Sequence, residues 1–490
     1  MRWVHELIDG KPRAAVAVSD ALGARLTYGA LCDAAADLAA RLRADGVRGG
    51  DRVMVVGENL APFVVAVLAV SRVDGWLVPV NARMRPAEVA AVAEHSGARC
   101  LLFTTGSDAA AAHAQDWGAR ELCEGLAATA VRAAAVEAVE PSPDERVAAL
   151  LYTTGTTSRP KGVMLTHRNL TWNARISAGL RGMTADDINL GVLPGAHVFG
   201  FSSVMLASLY AGAQVHLLPR FSPDTVLAAF ADGASVFCGV PQMFERLLRA
   251  LEAGGTPVVA PRLKYLSAGG APLDPDWKAR TEAVFGVPLN NGYGLTETSP
   301  SAAATDYRNP PADTSVGGAV PETTLTIDAP NAEGVGELLI RSPGVMKGYY
   351  RDDEATRAAL LPDGTFRSGD LARVDASGAL YIVGRTKEMI VRSGFNVYPP
   401  EIEAMMTRLD GVAQAAVVGR PAGADEEIVA FYTGRATPAA VWDWLRGQLV
   451  AYKVPQHIIG VDAFPTAATG KILKHTLLTH FAARLPRDAA

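Results

Sequence analysis

The sequence predicts an α/β protein with a large N-terminal domain of layered α/β sheets, a small β-rich subdomain over about 315–384, and a smaller α+β C-terminal domain. Three observations predict it. From about residue 50, apolar runs of strand length alternate with helical stretches. From 315 to 373 the helical pattern gives way to short strands and Gly/Pro turns, among them Gly317-Gly318, Pro321, Pro343-Gly344 and Asp363-Gly364. After Arg385 strands and helices alternate again over a stretch of roughly 100 residues, the size of a separate domain.

Taken in order, 52–56 reads as a strand, 62–73 as a helix, 76–80 as a strand, 86–95 as a helix and 100–103 as a strand. Further strands are expected at 188–193, 214–218, 235–238 and 264–267. Helical stretches between them start at Asn169, Val198, Pro223, Pro241 and Pro272, and Pro223 and Pro241 suit a first helical turn. In the last segment short elements are expected at 412–418, 428–432, 438–449 and 472–484. No internal repeat is visible.

The 490 residues exceed one typical domain. Lys and Arg number 46 against 51 Asp and Glu, a net charge of −5, so no global basic field points to nucleic acid or an anionic membrane. Any anion site must therefore be local. The four cysteines (Cys32, Cys100, Cys123, Cys238) have neither disulfide-framework nor zinc spacing, which favours a reducing cytoplasmic location. Met1-Arg2-Trp3-Val4-His5-Glu6 places charges where a signal peptide has its apolar core, so secretion is not expected. The apolar run 61–70 ends at Ser71-Arg72, too short to span a bilayer, so no integral membrane segment is expected.

Residues 152–162, Tyr152-Thr153-Thr154-Gly155-Thr156-Thr157-Ser158-Arg159-Pro160-Lys161-Gly162, suit the grip of a polyphosphate. Glycine lets backbone N–H groups approach phosphate oxygens, the threonines add hydroxyl donors, and Lys161 adds a charge. A plain surface turn is the competing reading. The segment is no Walker A loop, because Pro160 precedes the lysine and apolar, partly β-branched residues follow it; strand-loop-strand is expected. Ala268-Gly269-Gly270-Ala271-Pro272 follows an apolar strand and offers small residues where a flat ring could lie. Asn290 to Thr298 combines a glycine turn, an aromatic face and a Thr-Glu pair. Ser368-Gly369-Asp370 sets a carboxylate on a turn, a common partner of ribose hydroxyls. Thr469-Gly470-Lys471 puts a lysine at a loop tip.

These segments, with 384–399, occur in the order seen in the acyl-activating, adenylate-forming superfamily, and the chain resembles its acyl-CoA synthetases over nearly its full length. The resemblance implies a small β-barrel subdomain within residues 1–384, a hinge at 385–387 and a mobile C-terminal domain over 388–490. It implies ATP, Mg²⁺ and coenzyme A as cofactor and co-substrates. Thr153, Thr154, Gly155, Thr156, Thr157 and Lys161 would hold the β- and γ-phosphates; Gly270, Ala271, Asn291, Gly292 and Tyr293 would flank adenine. Thr296 would touch the α-phosphate, Glu297 would help hold Mg²⁺, and Asp370 and Arg385 would bind the ribose. Lys471 would bridge the acid and the α-phosphate. Lys387 matches the hinge, and Gly394 would give the pantetheine arm room. His197 matches an aromatic gate between the ATP and acyl sites, with a satisfied core histidine as the alternative.

The implied reaction makes physical sense. A carboxylate attacks the α-phosphorus of ATP, pyrophosphate leaves, and a thiol then displaces AMP. Both first reactants are anions, so positioning and electrostatic stabilisation do the work and no protein nucleophile is needed. The acyl pocket draws on His197, Val198, Phe199, Phe201, Ser202, Val240, Met243, Ala268, Gly269, Gly292, Leu295 and Ser299. It lacks the aspartate that would pair an amino group, so an α-amino acid is disfavoured. A medium- or long-chain fatty acid is expected, an aryl or small carboxylic acid next, with discharge to free coenzyme A preferred over loading of a carrier protein. A kinase-like NTPase would release inorganic phosphate instead, and a silent nucleotide binder would not turn over. A homodimer is left open. Ser158, Thr154 and Lys474 depart from the commoner glycine, serine and arginine, and Gly195 and Ala196 stand where bulkier residues often precede the gate histidine.

Overall fold

A computed structural model of the chain describes residues 2–153, 161–254, 258–392, 395–422, 425–466 and 472–485. The chain divides into two compact units. Met1–Leu325, Ile340–Arg367 and Gly378–Leu380 make the first; Thr326–Leu339, Ser368–Ser377 and Tyr381–Ala490 make the second.

The first unit holds two large mixed sheets. One has eight strands in the order Gly348–Tyr349, Lys161–Thr166, Val147–Thr153, Trp76–Asn81, Arg52–Gly57, Cys100–Thr104, Leu126–Ala128 and Arg120–Cys123. Arg52–Gly57 is parallel to both neighbours, and its apolar residues Met54 and Val56 pack with Val80, Val89, Val92, Leu101 and Phe103. This explains why these strands read as continuous apolar runs: helices cover both faces of a parallel sheet. The nine-stranded sheet runs Gly318–Ala319, Ser301–Ala304, Leu289–Gly294, Tyr265–Gly269, Val236–Gly239, Ile188–Gly191, Gln214–Leu217, Val16–Asp20 and Arg25–Thr27. Leu190, Phe230, Phe237, Phe244, Leu247, Leu266 and Leu289 form its core. Each such side chain taken from water contributes about 1.5–3 kcal/mol.

Helix starts follow local chemistry. Ser222 Oγ accepts the Thr225 N–H ahead of Pro223–Ala231, and Thr166 and Asn169 cap His167–Leu180 reciprocally. The helix expected from Pro272 begins instead at Pro275, because Asp274 accepts the N–H groups of Asp276 and Trp277 and so fixes the first turn three residues later. The strand expected over 188–193 ends at Gly191. The helix expected from Val198 forms, with π geometry over Phe199–Leu206 before the α-helix Ala207–Ala211. The expected strand-loop-strand is present, since Val147–Thr153 and Lys161–Thr166 pair antiparallel.

The second unit contains a three-stranded sheet in which Val412–Ala422 pairs antiparallel with Asp425–Gly434, itself parallel to His457–Gly460. Ile428, Ala430 and Tyr432 point into a core with Ile402, Met406 and Leu445; Val429 and Phe431 point into another with Phe464 and Leu477. Side chains alternate between faces, so both faces of this sheet are buried. The helices Pro399–Thr407 and Pro438–Gln448 cover the first face. The stretch expected over 472–484 is broken into Lys474–Thr476, Leu477–His480 and Ala482–Arg484. The β-rich segment gives a four-stranded sheet, Thr324–Asp328, Gly336–Arg341, Phe366–Val374 and Leu380–Arg385.

Candidate active site

In the first unit the sequence-predicted residues gather at the C-terminal ends of neighbouring parallel strands, where open α/β sheets place ligands. Gly239 lies in register with Ala268, and Gly269 with Gly292, so Val240, Gly270 and Tyr293 follow on adjacent strands. Gly270 has φ +79°, a left-handed turn open to glycine. Asn291 donates through Nδ2 to the carbonyls of Thr314 and Ser315 at 3.0 and 3.2 Å, so its amide braces the strand end from behind. Ala271, Tyr293 and Leu295 are half-buried, and Met243 lies half-buried in the Pro241–Gly254 helix with its N–H on Val240 O.

Thr296–Thr298 is a 3₁₀ turn whose Leu295 N–H is accepted by Thr298 Oγ1 at 3.0 Å. Its approach is tight. A Cβ at Gly294 would fall 1.4 Å from Pro300 O, so only glycine fits there. Glu297 accepts the Tyr349 hydroxyl at 2.8 Å on Oε1, and its backbone carbonyl accepts the Met346 N–H at 2.8 Å. Burial and the neighbouring carboxylate push the Tyr349 phenol up, which keeps it a donor. The Tyr349 ring also faces Lys161, whose Nζ lies 4.8 Å from its centroid. Lys161 is the register partner of Thr153. Thr154, Gly155, Thr156, Thr157 and Ser158 lie outside the described residues.

The residues expected at the acyl side begin with the segment after Gly191. His197 is exposed; its Nδ1 accepts the Phe199 N–H at 3.3 Å and its carbonyl accepts the Phe201 N–H at 2.8 Å. A methyl at Gly269 would come within 3.1 Å of Phe199 Cε1, so that ring closes over the glycine. Val198, Phe201, Ala268 and Ser299 are buried, and Ser202 accepts from Asn173 Nδ2 at 2.8 Å. Asn173 also reaches Ser203, which Ser177 meets at 3.1 Å. Asn59 holds the backbone leading to His197: its Nδ2 donates to Gly191 O and Leu193 O, and its Oδ1 accepts the Gly195 N–H at 2.7 Å. Asn59 and Tyr349 escaped the sequence reading. Each acts across more than fifty residues of chain, and the only local signal is a polar or aromatic residue beside a strand.

In the second unit Arg385 Nε lies 3.4 Å from Asp370 Oδ1, and Asp370 is braced by its own N–H on Ser368 Oγ at 3.0 Å. The two residues expected at the ribose thus meet. Lys387 is exposed. Lys471 and Gly394 lie outside the described residues; Thr466 and Ile472, which flank the first, form an antiparallel bridge. Among the described residues no group of three or more His, Cys, Asp or Glu is placed to hold a metal. One carboxylate suits Mg²⁺, which is held largely by water and substrate phosphates. No helix among the described residues is long and apolar enough to cross a membrane.

Comparison with known proteins decides the family. The model of the AMP-binding enzymes matches residues 5–350, and that of the AMP-binding enzyme C-terminal domain matches 401–471. The chain belongs to the AMP-binding enzymes. It is 34% identical to a feruloyl-CoA synthase of an Amycolatopsis species over 94% of each chain, and 31% identical to a long-chain-fatty-acid–CoA ligase of Mycobacterium tuberculosis over 97% of each. It superposes on ATP-bound MatB from Rhodopseudomonas palustris with a TM-score of 0.83 at 28% identity, covering 98% of this chain and 99% of that one. This AMP-binding enzyme is accordingly an AMP-forming acid–thiol ligase with the large and small domains of the adenylate-forming fold.

Proposed function

We propose that this AMP-binding enzyme activates an aromatic carboxylic acid as its acyl-AMP, releasing pyrophosphate, and transfers the acyl group to coenzyme A with release of AMP. The observation that carries the reading is that Lys161 and Glu297 meet on one side chain, Tyr349, beside the Gly269–Gly292 strand ends. Charge for the leaving pyrophosphate and a carboxylate for its metal thereby share one place. Thr153, Lys161 and the loop residues Thr154, Gly155, Thr156 and Thr157 hold the β- and γ-phosphates. Gly270, Ala271, Gly292 and Tyr293 flank adenine, with Asn291 bracing them, and Thr296 meets the α-phosphate. Asp370 and Arg385 take the ribose hydroxyls, and Lys471 steadies the acid's carboxylate as it attacks. Glu297 would hold Mg²⁺, which when bound would supply charge to neutralise the phosphates. Residues 1–384 and 388–490 act as the two domains about a hinge at 385–387, and Gly394 lines the thiol's path. The four unpaired cysteines support a cytoplasmic setting.

For the acid itself, Phe199 lying over Gly269 favours a flat, compact group. The similarity to a feruloyl-CoA synthase supports this over the fatty acid expected from sequence. A medium- or long-chain fatty acid remains the second reading, favoured by the apolar Val240 and Met243 and by the similarity to a fatty-acid ligase. Pyrophosphate release is to be measured across aryl, fatty and small acids, with and without coenzyme A. The absence of acid-dependent pyrophosphate from the whole panel overturns the reaction; a fatty-acid optimum overturns the acid class. Lys471→Ala is expected to abolish adenylation while sparing thioester formation from supplied acyl-AMP.

A further inference from the structure

The segment Met346–Tyr350 stitches two separate parts of the nucleotide site together. Its Met346 N–H holds the Glu297 carbonyl at 2.8 Å, and its Tyr349 hydroxyl holds Glu297 Oε1 at 2.8 Å. Toward the phosphate hairpin, Lys347 N–H donates to Met164 O at 2.9 Å and Tyr350 N–H to Gly162 O at 2.7 Å, with Tyr349 in register with Val163. Between these anchors the Tyr349 ring, only 8% exposed, faces Lys161 Nζ at 4.8 Å. One residue therefore touches both the metal carboxylate and the phosphate lysine, from a strand that belongs to neither motif.

We infer that Tyr349 is a positioning residue that aims the Glu297 carboxylate at the Mg²⁺ of bound ATP through its hydroxyl and seats the Lys161 ammonium through its ring; this rests on the reaction proposed above. The two functions separate chemically. A phenol donor fixes which way a carboxylate faces, and removing the hydroxyl leaves the ring in place. A cation over a ring face gains about 0.5–2 kcal/mol, equivalent to about 2- to 30-fold in affinity, and depends on the ring alone.

The test compares wild type, Tyr349→Phe and Tyr349→Leu by calorimetric binding of AMP and of ATP, with and without Mg²⁺, and by the Mg²⁺ dependence of acid-dependent pyrophosphate release. Tyr349→Phe is expected to raise the half-saturating Mg²⁺ concentration about 5- to 20-fold, as loss of a hydrogen bond to a charged group does, with metal-free ATP and AMP binding unchanged. Tyr349→Leu is expected to weaken metal-free ATP binding in addition, by about 3- to 10-fold relative to AMP. In a Glu297→Gln background Tyr349→Phe is expected to change the Mg²⁺ dependence no further. A fall in AMP and ATP binding by the same factor, an unmoved Mg²⁺ dependence, or additivity with Glu297→Gln overturns the inference. Should Tyr349→Leu not fold, Tyr349→Phe and the Glu297→Gln cycle decide alone. If wild type gives no acid-dependent pyrophosphate while the binding shifts appear, the reaction fails and the role of Tyr349 stands.

Discussion

Lys474 Nζ lies 2.7 Å from Glu403 Oε1, the same oxygen that accepts the Val417 N–H at 2.6 Å. Lys474 also reaches Glu388 Oε2 at 3.2 Å, so the stretch just past Lys471 is tied to the Pro399–Thr407 helix and to the residue after the expected hinge position. Burial pushes the Glu403 carboxyl up, while Lys474 pulls it back down. Lys474→Met is expected to leave that carboxylate without its cation and to lower stability by about 2 kcal/mol, whereas Lys474→Arg retains most of it. Denaturant unfolding of the three proteins checks this. Equal loss in both variants would mean that shape, and not charge, is what Lys474 supplies.

Gly294→Ala is expected to reduce acid-dependent pyrophosphate release by at least about 100-fold, because its Cβ would overlap Pro300 O and push the Thr296–Glu297 turn out of place. Gly334→Ala is the matched control. Its φ is +76° but nothing lies within 4 Å, so it should cost stability with little change in rate. Similar rates for the two alanine variants would disprove the steric account.

Phe199→Ala is expected to open the space above Gly269. Values of kcat/KM should rise for bulky or elongated acids and fall by about 10-fold or more for compact aromatic ones, the scale of a lost hydrophobic contact. An unchanged ranking across the acid panel would remove Phe199 from the pocket.

His167 supplies the pH prediction. Its Nδ1 accepts the Val4 N–H at 3.2 Å, so the proton sits on Nε2, which is buried without a hydrogen-bond partner. Burial holds this imidazole down to about 3. The unfolded chain takes up a proton below about 6.5 while the folded one does not, so stability is full above that pH and is lost as pH falls toward 3. At pH 4.5 the loss from this group is on the order of 2–3 kcal/mol. His167→Asn keeps an acceptor for Val4 without titrating, and its stability should fall less steeply from pH 6.5 to 4.5. Parallel profiles for the two proteins would rule the histidine out.

Legibility in the sequence tracked distance along the chain. The runs at Arg52–Gly57 and Cys100–Thr104 were readable because strands buried on both faces show unbroken apolar character. The strand-loop-strand at Lys161 was readable from Pro160 and the β-branched residues after it. The first fifty residues were not: Val16–Asp20 is placed by pairing with Gln214–Leu217, a partner nearly two hundred positions away. The helix start at Pro275 turned on Asp274, where Pro272 offered an equally good signal three residues earlier. In the site, the motif residues at 268–271 and 291–297 were found because they cluster along the chain. Tyr349 and Asn59 were missed because each contributes a single side chain whose meaning lies in what the fold sets opposite it.

The antiparallel pairing of Val147–Thr153 with Lys161–Thr166 bears on how this site tolerates change. Side chains on a strand switch faces at every residue, so the alignment of Thr153 with Lys161 decides on which side of the sheet the ammonium stands. The intervening residues 154–160 have no say in that choice. Lengthening a loop is cheap, about 0.6 kcal/mol for each doubling. Insertions there should therefore leave the lysine where it is, while a one-residue slip in the strand that carries it would turn the same lysine away from Tyr349. The address of this charge is written in the pairing of two strands.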